Sequence, residues 1–403
     1  MSDGKDLRTT VWTYAWDVLD VGLDAALADI TGRAGAGGVS LAASYHAGHF
    51  FQPRSPRRKA YWPEDGTVYF EPTPGRFDGL RLQPKVASVV RERGDVLRTL
   101  IDARERGAGI TVNAWTVCLH NMRLGLAHPE VCSENAWGDR SYFALSPAHP
   151  DARAYVVAMI ADMADRYALD SIELETPNFM EFLHGYHHEK DGVGLNPEDD
   201  FLLSLDFSEA CLERARAAGV DGEAAKRTAR RLIGELCERA MPAARWPDFT
   251  ARGPEVFRDE FPELYEYVTW RFEPVTSLVR EIRAAVNPRT KVYFIDIDGG
   301  WRVGCDLEAI ARECDGIVHC RYDRKADALG PMVRDTMRLL PGRHHFSTGL
   351  QVFTPNLSGP DDLTARVRAA VAAGSTGINF YNYGLIPAAR LDWIRGAIEA
   401  ARG

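Results

Sequence analysis

The chain lacks any run of about 18 apolar residues, so the sequence offers no membrane-spanning helix. Its first residues, MSDGKDLRTTVW, contain no apolar secretion core, and the expected location is the cytoplasm. Cysteines are few and odd in number, seven in 403 residues, with no Cys-x-x-Cys pair, which speaks against a disulfide framework. Cys118, Cys305, Cys314 and Cys320 lie in or beside apolar segments and read as small core residues. Basic residues are not in excess: the net charge is −9, which removes the electrostatic reason to expect a nucleic-acid partner. The cluster Arg54, Arg57, Arg58, Lys59 is short and broken by prolines, and reads as a solvated loop. No Gly-rich dinucleotide fingerprint follows a strand; Ala34-Gly-Ala-Gly-Gly38 precedes one and reads as a helix end, so no cofactor is expected.

What is present is a doubled carboxylate. In Leu169-Asp-Ser-Ile-Glu-Leu-Glu-Thr-Pro177, Glu173 and Glu175 stand two residues apart at the end of an apolar strand, and side-chain alternation puts both on one face. An amphipathic helix, Asp151–Tyr167, precedes the strand, and Pro177 ends it.

The same grammar repeats along the chain. Strands are expected at Thr10–Ala15, Val39–Ser44, Ile110–Trp115, Ser171–Glu175, Lys291–Ile297, Gly316–Cys320, His345–Gln351 and Gly377–Tyr381. Helices are expected at Leu19–Ala34, Val86–Arg106, Asp151–Tyr167, Phe261–Val286, Asp306–Glu313, Ala328–Leu339, Asp361–Ala373 and Ala388–Ala401. Eight βα units in strict alternation predict an α/β protein of the (β/α)8 TIM-barrel type, one domain over residues 1–403. Two long connections, about 45–85 and 176–260, leave carboxyl ends of strands and are expected over the barrel mouth.

In such barrels the carboxyl ends of strands carry the chemistry. Glu173 and Glu175 have a counterpart on the next strand, where Asp296 and Asp298 repeat the spacing. Neighbouring strands would bring Glu175 and Asp298 toward the roughly 5 to 5.5 Å separation of a retaining glycosidase. The expected roles are Glu175 as nucleophile and Asp298 as acid/base, its pKa raised by its neighbour's charge, with Glu173 and Asp296 tuning them. The other strand ends supply the aromatic and polar groups that a sugar demands: Asp17, Tyr45, His46, Trp115, His120, Asn121, His188, Trp301, Gln351, Tyr381 and Asn382. The histidines His46, His49, His120, His184, His187 and His188, with Glu189, open a second reading, a metal-dependent sugar isomerase, epimerase or lyase, although no HExxH pair occurs. A third is a sugar-binding barrel without catalysis. The expected partner is a small carbohydrate, with no membrane or nucleic acid, and the sequence sets no oligomeric state.

The stretches TYAWDVLDVG, YHAGHFFQPRSPRRKAYWPEDG, AWTVCLHN, LSPAHPDARAYVVAMIADMADRYALDSIELE, HGYHHEK and GINFYNYGLI together resemble a bacterial family of hypothetical glycoside-hydrolase-like (β/α)8 barrel proteins. The resemblance covers most of the chain and implies a barrel with a carbohydrate-type site and a carboxylate, here Glu175, at the end of the fourth strand. It departs from the largest clan of retaining barrel hydrolases, whose second glutamate ends the seventh strand; here that strand ends in Gln351. A fourth-and-fifth-strand pair, as in the amylase-like clan, fits better, with Asp323 after the sixth strand as the fallback.

Overall fold

The structure is a computed structural model that describes residues 7–184, 188–297, 299–342 and 344–403. Eight parallel strands form the barrel: β1 Arg8–Thr13, β2 Gly38–Tyr45, β3 Thr111–Val117, β4 Ser171–Glu175, β5 Lys291–Asp296, β6 Gly316–Cys320, β7 His345–Gln351 and β8 Gly377–Tyr381. Each pairs with the next, and β1 pairs with both β2 and β8, which closes the sheet and leaves no barrel edge unpaired. Four strands match the expected bounds residue for residue. The first begins and ends two residues early, because the chain turns into the helix Ala15–Val21 where the strand was expected to run on to Ala15. Gly22, at φ +90°, separates that helix from Leu23–Leu27.

The long connection after β2 carries short two-residue strands, Phe50–Phe51 paired with Ala60–Tyr61, and Thr67–Val68 beside the end of β2. The connection after β4 contains the helices Pro197–Ser204, Glu209–Ala217, Gly222–Glu238 and Phe249–Arg252 before the barrel helix Phe272–Ala285. The basic cluster after β2 is paired rather than free in solvent. Asp20 accepts from Ser55 Oγ at 2.7 Å and Arg58 at 2.9 Å, and Arg54 pairs with Asp29. These ties fasten the loop to the first helical layer.

The pairing register fixes which side chains fill the barrel, since partners in a parallel ladder share a face. The inward positions include Thr10, Ser40, Asn113, Glu173, Ser347 and Asn379, where the usual filling is Val, Ile and Leu. Much of this polar interior is satisfied from within. Glu173, 2% exposed, accepts from Trp12 Nε1 at 2.7 Å, Ser40 Oγ at 2.8 Å and Asn379 Nδ2 at 3.2 Å. Burial pushes its pKa up, and these three bonds oppose that shift. The Trp12 indole occupies the barrel because β7 offers a glycine opposite it: a methyl group at Gly349 would meet the ring at 2.9 Å and Cys320 Sγ at 2.5 Å.

Replacing Glu173 by Ala would strand three donors in the barrel interior. The expected cost is about 3 kcal/mol, since an unmade buried hydrogen bond costs the full desolvation of its group. Urea denaturation measures it, and a loss below about 1 kcal/mol would show that the network does not hold the barrel.

Candidate functional site

At the carboxyl end of the barrel, β4 delivers Glu175 to the mouth, half-buried, one inward position above Glu173. Trp115, inward on β3, donates its indole Nε1–H to the Glu175 carboxylate. Burial raises the Glu175 pKa to about 7, and the Trp115 bond works against that shift. Among the described residues no second carboxylate adds to this shift, and desolvation is its cause. Glu173 has its own partners below and belongs to the interior network.

Three tyrosines close around this carboxylate. Tyr14 follows β1, Tyr45 ends β2 and Tyr381 ends β8; the Tyr14 hydroxyl lies 3.0 Å from that of Tyr45 and 2.8 Å from that of Tyr381. Burial is the main cause that raises the pKa of Tyr45, Tyr381 and Tyr322, and the Glu175 charge adds to it in each, so all three lie within its field. Tyr322 stacks on Tyr381 with centroids 5.9 Å apart, and Trp115 meets Tyr45 at 5.1 Å and Tyr381 at 5.8 Å. Trp12 and Tyr14 were not among the expected site residues. Trp12 and Tyr14 lie at the end of a strand that was placed two residues too late, so the strand-end rule looked past them.

The loop after β2 contributes a second aromatic tier. Phe50 lies 5.2 Å from Tyr14, Tyr61 lies 4.8 Å from Trp16, and Trp62, 63% exposed, stacks on His49 at 4.6 Å. His46 stacks on Tyr45 at 4.3 Å and on His120 at 4.2 Å, and His184 lies 5.0 Å from His120. Burial lowers the His46 pKa to about 4 and lowers His120 further, so these imidazoles are neutral at pH 7. Among the described residues no three His, Cys, Asp or Glu side chains converge as a metal site. His187 lies outside the described residues, and His188 is exposed at φ +59°.

Several expected ligands have other tasks. Asp17, buried, accepts from the Tyr14 backbone N–H at 3.0 Å and caps the first helix. Asn121 accepts from Leu124 N–H at 2.9 Å as the N-cap of Met122–Ala127, and Asn382 accepts from Gly384 N–H at 3.0 Å. Gln351 accepts from Asn356 Nδ2 at 2.6 Å. Trp301 packs at 4.8 Å from Phe201 and 5.1 Å from Phe249 and donates to Thr250 O at 3.1 Å, so it anchors the inserted helices.

Asp296 departs most from expectation. Its neighbours Tyr293 and Ile295 share the face of Glu173 and Glu175, so Asp296 points to the outer face of β5. There it meets Arg321 Nη2 at 2.7 Å and His319 Nδ1 at 3.2 Å, and these partners hold its pKa down against burial. It still borders a small cavity of about 80 Å³ between the ends of β4 and β5, together with Glu175, Thr176 and Cys305. That space suits a few waters rather than a pyranose. Asp298 lies outside the described residues. Asp323 is exposed beside Arg324 at 3.4 Å.

No family model and no curated protein matches the chain. Among solved structures, the glycoside hydrolase domain of PgaB (BpsB) from Bordetella bronchiseptica is similar with a TM-score of 0.60 at 14% identity, covering 98% of each chain. The catalytic domain of β-amylase from Paenibacillus polymyxa is similar at 0.55 and 10% identity, covering 96% of this chain and 94% of that one. Alpha-L-fucosidase isoenzyme 2 from Paenibacillus thiaminolyticus gives 0.55 at 12%, covering 98% of this chain and 49% of that one. The chain shares with these structures the closed (β/α)8 barrel fold. At these identities the likeness is one of fold.

Two outcomes follow from the placement. Trp301→Ala should cost about 3 kcal/mol of stability, as removal of a packed tryptophan does, while ligand affinity at the mouth is kept; unchanged stability with lost binding would return Trp301 to the site. Glu175 and Asp17 both rise to about 7 on folding, so the folded state binds protons that the unfolded chain has released. Their favourable contribution is complete below the unfolded carboxylate range and is lost as pH rises through about 7. Relative to wild type, Glu175→Gln should therefore gain thermal stability between pH 5 and 8, in thermal unfolding scans at stepped pH, and a constant difference would contradict the shift.

Proposed function

We propose that the protein is a glycoside hydrolase acting on a small glycoside or short oligosaccharide at the barrel mouth. The observation that carries this reading is Glu175: a carboxylate at the end of β4, raised to about 7, held by Trp115 and walled by Tyr45, Tyr381 and Tyr322. Aromatic faces stack on the apolar faces of a pyranose, and a carboxyl group still partly protonated near neutrality can protonate a glycosidic oxygen. The glycoside-hydrolase barrels that share the fold support the substrate class.

The burial of Glu175 suits an acid/base better than a nucleophile, which reverses the assignment expected from the sequence. In the two-carboxylate mechanism Glu175 protonates the leaving oxygen, and Asp298, two residues past β5, is the proposed partner. If that partner attacks the anomeric carbon, the product retains its configuration; if it activates a water, the product inverts. Neutral His46 and His120 and the tyrosine hydroxyls then hydrogen-bond sugar hydroxyls without adding charge.

Glu175→Gln tests the assignment through the leaving group. An acid is needed most when the departing alkoxide is poor, so hydrolysis of alkyl glycosides should fall by about 10²–10⁴-fold, while dinitrophenyl glycosides lose much less. In wild type, kcat on the poor leaving group should decline as pH rises through about 7, because the acid form is being lost. Equal loss on both substrate types would make Glu175 the nucleophile, and wild-type rates would remove it from the chemistry.

A further inference from the structure

The amino ends of the strands enclose a second cavity, of about 450 Å³, on the side of the barrel away from Glu175. That volume lies within the range of small-molecule sites. Its floor is the polar barrel interior: Thr10, Asn113, Ser171, Glu173, Ser347 and Asn379 all line it and are all buried. Part of this floor is satisfied internally. Ser171 Oγ donates to Asn113 Oδ1 at 2.9 Å, Ser347 Oγ donates to Asn379 Oδ1, and Glu173 takes its three donors. Part is not. Asn113, 6% exposed, has an Nδ2 amide, and Thr10, 7% exposed, a hydroxyl, that make no hydrogen bond among the described residues.

The rim has the opposite character. Arg8, Arg289, Lys291 and Arg402 surround the opening. Lys291 is shared with Asp315 at 3.6 Å, whereas among the described residues no carboxylate forms an ion pair with Arg8, Arg289 or Arg402. Arg8 reaches the Tyr293 hydroxyl at 3.4 Å, and Arg402 reaches Leu7 O at 3.4 Å. Asp170, which also lines the cavity, is engaged by Arg104 at 2.7 Å. His345, beside Tyr293 at 4.5 Å, adds a neutral imidazole, since burial and the Arg8 charge lower its pKa to about 4.

We propose that this cavity binds a monosaccharide-sized polyol bearing one anionic group, a phosphate or a carboxylate. The anion sits among Arg8, Arg289 and Arg402, and the hydroxyls reach the Asn113 amide and the Thr10 hydroxyl. Guanidinium groups match phosphate and carboxylate oxygens in two-point contacts, while amides and hydroxyls offer both donor and acceptor to a sugar hydroxyl. Apolar ligands are disfavoured, because they would leave the floor's polar groups unpaired. The proposal is independent of the chemistry at the mouth.

Isothermal titration of the full chain with glucose 6-phosphate, glucuronate, glucose and inorganic phosphate tests it and separates the two anions. At least one of the anionic sugars should bind with a Kd below about 1 mM, and glucose and inorganic phosphate at least about tenfold more weakly. Arg8→Ala combined with Arg402→Ala alters exposed side chains and should raise that Kd at least about tenfold with the circular dichroism spectrum unchanged. Asn113→Leu, which fills the floor, should do the same. Glu175→Gln should leave the Kd unchanged, which keeps this site distinct from the mouth. The proposal is overturned if neither anionic sugar binds up to about 10 mM, if the double arginine variant binds as wild type does, or if inorganic phosphate binds as tightly as the sugar phosphate.

Discussion

Glu173 ties together strands that are far apart in sequence. Its carboxylate, on β4, takes a hydrogen bond from Trp12 on β1, another from Ser40 on β2 and a third from Asn379 on β8. The contacts therefore cross the closure of the barrel, where the first and last strands meet. A buried carboxylate without such partners is costly, and the same low dielectric makes each bond to it strong. The network fixes where the Trp12 ring lies, and the Trp12 ring in turn requires the bare backbone of Gly349 opposite.

That arrangement prepares the mouth above it. Trp12 is 6.2 Å from Trp115 and 6.0 Å from Tyr381, so the ring held by Glu173 supports the two rings that flank Glu175. Trp115 is thereby packed on one side and hydrogen-bonded to Glu175 on the other. Two glutamates two residues apart thus take different parts: burial raises both, but the lower, with three donors, organises the interior, while the upper, with one indole donor and a pKa of about 7, faces the mouth. The number of hydrogen bonds each receives separates them.

Much of this was legible in the sequence because strand four alternates in a way that admits only one reading. The periodicity also located all eight strands, four of them to the residue. Strand five defeated the same argument. Val292-Tyr-Phe-Ile-Asp is apolar on both faces, as a buried parallel strand is, so the pattern holds no sign of which face Asp296 takes; only the register with β4 and β6 decides it. Asp17, Asn121 and Asn382 show a different limit. Short polar side chains just after a strand are equally suited to capping the next helix and to binding a ligand, and the backbone N–H groups of a helix start are always close enough to claim them. Trp301 was lost to the inserted helices, whose aromatic cluster no local pattern could connect to the loop after β5.

The polar interior has one further physical consequence. In a barrel filled by branched apolar side chains the two ends are insulated from each other by close packing. Here a continuous run of hydroxyls, amides and one carboxylate extends from the amino-end cavity up to Trp12, with the Glu175 indole partner in contact above it. Asn379 lines that cavity and is also one of the three donors of Glu173. Displacing Asn379 would remove one of that carboxylate's three bonds. The interior is thus held by directional bonds between strands rather than by interdigitated branched side chains, and its geometry is set by which donor meets which acceptor.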